Sequence, residues 1–579
     1  MNLNEKLSAA HAAYKAENFV LAIEEAKAAL ALDSDSHKAH QIISLSSRAR
    51  GDWAGAVQAI EAAVKLAPRD AECLNSYGNI MVAINSKTEA VTAYKTALEV
   101  APNYPQPAIA LGQFYLREKD PISAASVFET ALSYSPDHIV LLKGLVFALN
   151  DAQQFELASE LLGKIPPAPD TAFVAGEIAI ARRQKPVAEA NLVRALSFPP
   201  SSVVAFRALV QMRLQAESKG DESADEDAAT QAAAELIEKF TQDNPEAGVF
   251  YLAGAELLSE MERHEAALAL TERAKEKFGD NPDIHLLQAK LLVEAGQGEA
   301  AYAMSEKALQ GRPGDLAVMA HLSRAALMVG RPDVALNAAR SAQQRQADNQ
   351  FWTAIETTAH RAMGEKEAYA RLYDYELVKS YDMDPPAEYE NAADFIAKLK
   401  EALLALHTHK ERPLGFSLRG GTRTRLDLRF AQDRVIQDFF QSLADPMRRY
   451  MEAMPDDPSH PLTRRRLENY RLTGAWSVNL SGEGFHVNHM HPEGWVSAAF
   501  YVDVPKGMEG RKDKAGWLAF GKPPFTVRGQ DGNLLGAEHM IAPAAGRLVL
   551  FPSYMWHGTV PLREKDSSRL TLSFETAPA

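Results

Sequence analysis

Up to about residue 365 the apolar positions fall at helical spacing and recur as a unit of 34 residues. Pro68, Pro102 and Pro136 are 34 apart, as are Ala22, Ala56, Ala90, Ala124 and Ala158, and Ala267, Ala301 and Ala335 form a second set. Ile60, Tyr94 and Phe128 occupy one place in successive units, and Gly78 and Gly112 another. The pattern predicts a repeated helical hairpin. Small residues let helices approach, large ones fill the gaps, and proline stops the second helix. Ala188 falls 30 residues after Ala158, so one unit is expected to be short. Residues 217–227, ESKGDESADED, are acidic and almost free of apolar side chains. They are expected to form a solvated loop, with a docking site for a basic partner as the alternative.

Helical spacing persists through Asp394–Leu406 and Asp433–Met454. Beyond Arg464 the chain turns to short apolar or alternating runs broken by Gly and Pro: SAAFYVDVP, WLAFG, GRLVLFP and RLTLSFE. Several short strands separated by turns point to a sandwich or jelly-roll barrel. The expected organisation is a helical array over 1–365, a connecting helix or linker over 366–382, and an α+β domain over 383–579. Arg464, Arg465 and Arg466 are expected to be solvated and to run on into a strand. His407 and His409 end a predicted helix, where cations suit the C-terminal dipole.

Composition narrows the function. The 579 residues carry 62 basic and 76 acidic side chains, a net charge of −14. That balance argues against a dedicated binder of nucleic acid or of an anionic membrane. One cysteine, Cys73, excludes an internal disulfide framework and a cysteine-rich metal site. The N-terminal stretch has no apolar core of the secretory kind, and no run approaches a membrane span. A soluble cytoplasmic protein is the expectation.

The chemistry concentrates near the C-terminus. His486, His489 and His491 fall within six residues, and His557 follows a strand in GRLVLFPSYMWHG. An i, i+2 pair on extended chain places two imidazoles on one face; a third from a neighbouring strand would complete a facial ligand set with open positions. Three sets fit the spacing: His489, His491 and His557; His491, Glu493 and His557; or a set with His486 as ligand and the later pair behind it. Arg569 lies in the alternating run RLTLSF. An arginine facing a barrel interior needs a fixed anion, which a dicarboxylate cosubstrate would supply. Thr571 shares its face and Tyr501 lies on the strand after the histidines, both placed to bond the same carboxylate. Trp495, Trp517 and Trp556 are expected to be packing residues. Ser477, Asn479 and Ser497 fit either a pocket lining or solvated strand faces.

The 34-residue units resemble the tetratricopeptide repeat family over about residues 2–365. The strings HMHP…GWVSAAFYV, GRLVLFPSYMWHG and RLTLSF resemble the 2-oxoglutarate/Fe(II)-dependent oxygenases, specifically bacterial ones with repeats in front of the catalytic barrel. The resemblance implies an N-terminal α-solenoid followed by a double-stranded β-helix, the jelly roll. It also implies one Fe(II), 2-oxoglutarate as cosubstrate, and hydroxylation coupled to its decarboxylation to succinate. By position, His489 and His557 match the two histidine ligands and Arg569 the cosubstrate arginine. His491 departs from the pattern by standing where the family has Asp or Glu. The expected function is hydroxylation of a protein or peptide recruited by the groove of the repeats. The alternatives are a repeat scaffold with a silent metal-binding barrel, and an oxygenase of small molecules whose repeats serve assembly.

Overall fold

The computed structural model describes residues 2–214, 222–407, 414–564 and 567–579. The chain forms two compact units, Met1–Ala195 and Leu196–Ala579. The first is built of helical hairpins, from Leu3–Lys15 with Phe19–Leu32 to Pro169–Ala181 with Lys185–Ala195. Its alanine column, Ala22, Ala56, Ala90, Ala124 and Ala158, is wholly buried. A Cβ at Gly78 would come within 2.5 Å of the Tyr94 ring, so the small position exists to seat the large one. The short unit has its origin in the helix Phe155–Leu162, eight residues where the corresponding helix Pro121–Tyr134 has 14.

In the second unit, helical pairs continue from Pro199–Leu214 to Lys366–Leu372, and the second alanine set is equally buried. The acidic segment departs from expectation. A helix, Glu222–Asp243, begins inside it, while residues 217–221 lie outside the described residues. Acidic residues in a first turn suit the positive end of the helix dipole, and the alanines among them favour helix.

Among the described residues nine strands follow: β1 (Lys379–Asp382), β2 (Leu418–Arg423), β3 (Tyr470–His486), β4 (Val496–Asp503), β5 (Leu518–Phe520), β6 (His539–Ile541), β7 (Arg547–Pro552), β8 (His557–Thr559) and β9 (Ser568–Pro578). They form two antiparallel sheets, β1-β7-β4-β9-β3-β2 and β6-β5-β8. The expected linker thus supplies an edge strand, with Tyr381 paired to Leu548. The three arginines of 464–466 do not run on into a strand. Thr463–Arg465 is a 3-10 turn, and β3 begins at Tyr470. Arg464 donates to the Ala347 carbonyl and Arg465 to that of Gly494 at 3.0 Å, so both serve as ties.

One apolar core in this unit contains helix residues (Trp352, Ile355, Ala359) together with Phe439, Phe500 and Phe574 of the α+β segment. Polar contacts reinforce it: the Trp556 indole donates to Thr358 Oγ1 at 2.9 Å, and the Tyr554 hydroxyl to the Leu372 carbonyl at 2.7 Å. Trp352, Ile355, Tyr373, Leu377 and Val378 are all buried there. At about 1.5–3 kcal/mol for each large apolar side chain, losing five of them approaches the whole stability of a typical domain. Residues 196–579 expressed alone should therefore unfold cooperatively. Residues 383–579 alone should lack that transition and expose apolar surface, measured by calorimetry and dye binding.

Candidate metal centre

Two candidate ligands are fixed by the backbone before any side chain is considered. His489 and His557 are direct antiparallel partners, exchanging both N–H···O bonds at 2.8 and 2.9 Å. Two residues on, the His491 amide donates to the Ser553 carbonyl at 3.0 Å. The three rings therefore converge, with centroids 4.3 to 5.1 Å apart, and offer ligand atoms within 4.8 Å of one another.

Each ring has one nitrogen engaged. His489 Nδ1 meets the Val487 carbonyl at 2.8 Å, His557 Nδ1 the Met555 carbonyl at 2.9 Å, and His491 Nδ1 the Glu575 carboxylate at 2.7 Å. With the proton assigned to Nδ1 in each case, Nε2 is left as the donor for a metal. Burial pushes His489 down to about 3 and His557 well below the ordinary value, with neighbouring imidazoles adding to both. Burial opposes ionisation of Glu575, but the hydrogen bond from His491 holds its carboxyl below the usual range. Three imidazoles, each with its Nδ1 engaged and its Nε2 left over, fit a divalent first-row ion.

Of the three ligand sets, the geometry brings together His489, His491 and His557. Glu493 is exposed and outside the cluster. His486 lies behind it, its ring 5.9 Å from that of His489 and its Nδ1 3.1 Å from Ser417 Oγ.

Arg569 stands on β9 and is buried at 3% exposure. Its guanidinium donates to the Gly516 carbonyl and, at 3.2 Å, to Thr559 Oγ1, while its buried Nε has no partner. Its guanidinium carbon lies 5.4 Å from the centroid of the Tyr501 ring, and Tyr501 pairs with Thr571. A buried guanidinium with an orphaned N–H and, among the described residues, no carboxylate in ion-pair contact fits a carboxylate ligand. Thr571 stands in the same row, its hydroxyl donating to the Val478 carbonyl at 3.3 Å.

The remaining candidates separate. Ser477 and Asn479 alternate with Trp476 and Val478, hence lie on the opposite face of β3 from Thr571 and its row. Ser497 shares a register with Glu575, its hydroxyl 2.8 Å from that of Ser553. All three expected packing tryptophans are tied by their indole N–H: Trp495 to Leu462, Trp517 to Met508, Trp556 to Thr358. His407 is no cation at a helix end: burial pushes it down to about 4, and it bonds Thr422 and Ser477. His409 lies outside the described residues. Sequence reasoning missed Glu575, though it lies six residues after Arg569, an even spacing that keeps the face along β9.

Replacing Glu575 by alanine should weaken Co(II) binding about 10–100-fold, read from visible absorption, because the His491 ring loses its orienting acceptor. Metal binding at pH 6 should release fewer than about one proton per ion, since His489 and His557 are already neutral there. Calorimetry in two buffers of different ionisation enthalpy measures the count.

Residues 474–575 match the family described as "Putative 2OG-Fe(II) oxygenase", and residues 115–172 match a tetratricopeptide repeat family. Among curated proteins none matches the chain. Similar solved structures include PilF of Pseudomonas aeruginosa, with 16% identity, 36% of this chain and 96% of that chain covered, and a TM-score of 0.33. Another is a tetratricopeptide repeat protein from Parabacteroides merdae, with 15% identity, 50% and 98% covered, and a TM-score of 0.32. No helix among the described residues is long and apolar enough to cross a membrane. The chain carries tetratricopeptide repeats and, after them, an antiparallel β domain matched by the 2OG-Fe(II) oxygenase family.

Proposed function

We propose that the protein is an Fe(II)- and 2-oxoglutarate-dependent dioxygenase of the cytoplasm that hydroxylates a protein or peptide substrate. The observation that carries this is the pairing of three convergent imidazoles with a buried arginine whose Nε has no partner. When bound, iron and 2-oxoglutarate would supply O2-dependent oxidation of a C–H bond. His489, His491 and His557 would hold the ion through Nε2. The Val487 and Met555 carbonyls and the Glu575 carboxylate keep those rings in the ligating tautomer. Arg569 would take the distal carboxylate of the cosubstrate, with Tyr501 covering the guanidinium. The wholly buried Phe520, its ring 6.2 Å from that of His557, helps to exclude water.

The hairpins of Met1–Ala195 are the part best suited to recruit a peptide, because tetratricopeptide arrays commonly present such surfaces. A second reading has its own observation. The helices Leu316–Met328 and Gln350–Met363 share one core with the β domain, so in Leu196–Ala579 the repeats serve assembly, as in an oxygenase of small molecules.

The full chain with Fe(II), O2 and 2-oxoglutarate should release succinate. Substitution H557A should abolish this, and R569Q should raise the 2-oxoglutarate requirement at least about tenfold. Succinate release unaffected by either change would exclude the assignment. Equal turnover by the full chain and by residues 196–579 on the same substrate would favour the second reading.

A further inference from the structure

The inner face of the larger sheet carries a second arginine that the metal centre does not use. Arg423 on β2 pairs with Val478, Val478 with Thr571, and Thr571 with Tyr501. Direct antiparallel partners project to one side, so Arg423 shares the face of Thr571 and Arg569. Its guanidinium carbon lies 4.4 Å from the centroid of the Phe416 ring and 4.9 Å from that of Trp476. The Trp476 ring is in turn 5.8 Å from His491. A single indole thus stands between this cation and a candidate ligand.

Its charge is uncompensated at short range. Among the described residues no carboxylate lies within ion-pair distance of Arg423, and the two acids that influence it, Asp427 and Glu575, have closer partners. Asp427 is 2.8 Å from Arg429, and Glu575 is 2.7 Å from His491. Stacking covers the planar faces of a guanidinium and leaves its N–H edge to an in-plane acceptor. The side chain is partly open to solvent, so such an acceptor can arrive from outside. His486, half-buried beside the cluster, feels the charge of both Arg423 and Arg569. Arg569 suffices for one carboxylate; among the described residues the Arg423 guanidinium has its two aromatic rings and no acidic partner.

We infer that Arg423, held between Phe416 and Trp476, is a recognition site for a carboxylate of the substrate, so that the group to be oxidised lies close to an acid. This rests on the function proposed above and names its substrate class. The carboxylate can come from an acidic side chain or from a free α-carboxyl group, chemically alike at a guanidinium.

The test uses the full chain loaded with Co(II) and saturating 2-oxoglutarate, so that Arg569 is occupied. Three probes are titrated by ligand-observed NMR: N-acetyl-glutamate amide, N-acetyl-glutamine and the uncharged N-acetyl-glutamine amide. One or both charged probes should bind at least about tenfold more tightly than the neutral one. Whichever charged probe prevails identifies the source of the carboxylate. R423M should erase the preference, R423K should keep part of it, and F416A, at a half-exposed position, should weaken the charged probes alone. Equal binding of all three probes, absence of binding, or a preference that survives R423M would overturn the inference. Should R423M fail to load Co(II), a preference unaltered in both R423K and F416A would overturn it equally. Failure of the unsubstituted chain to load metal or 2-oxoglutarate would instead sink the proposed function, and the probe preference of the metal-free chain would then decide on Arg423.

Discussion

The paired amides and carbonyls of His489 and His557 are the constraint on which the rest of the site depends. Partners that exchange both backbone bonds have little freedom in where their side chains start. The pairing joins the segment after β3 to the start of β8, and so connects the two sheets at the cluster. His491 then follows two residues on, held to Ser553 by its own amide. What remains is rotation of the rings, and three acceptors fix that: two backbone carbonyls and the Glu575 carboxylate.

Placing a carboxylate behind one imidazole, rather than within the histidine cluster, changes the electrostatics but keeps the charge nearby. In a triad of two histidines and an acid, the anion is a ligand. Here the candidate for the third position is His491, and the anion sits one hydrogen bond farther out, on β9. Burial would disfavour an isolated carboxylate there. The hydrogen bond with His491 keeps Glu575 ionised despite it.

Burial also joins the repeats to the chemistry. In Leu196–Ala579 the last hairpins do not merely precede the β domain but complete its core, through Trp352, Ile355 and the hydroxyl of Thr358. The Gln350 amide donates to the Pro492 carbonyl at 2.8 Å, next to His491. A helix of the array therefore helps to position the segment that carries two of the candidate ligands.

The alanine columns, Pro68 with its successors, and the i, i+2 pair His489 and His491 were legible because each is a local period, and helices and strands impose such periods on the residues that form them. The strands β4, β5, β7 and β9 were legible for the same reason. The longest strand, β3, was legible only in the alternation of Trp476, Val478 and Leu480 with Ser477 and Asn479; toward its ends Gly474, Gly482 and Gly484 break the pattern, and the neighbours β2 and β9 hold it. Nor could the linear order show that residues 366–382 supply an edge strand, or that the compact units part at residue 195. The choice among three ligand sets, the carboxylate behind His491 and the aromatic faces around Arg423 depend on pairs far apart in the chain. Such pairs meet only when strands take a register. Register is fixed by burying one whole face at once, a property of the assembled sheet and of no single segment.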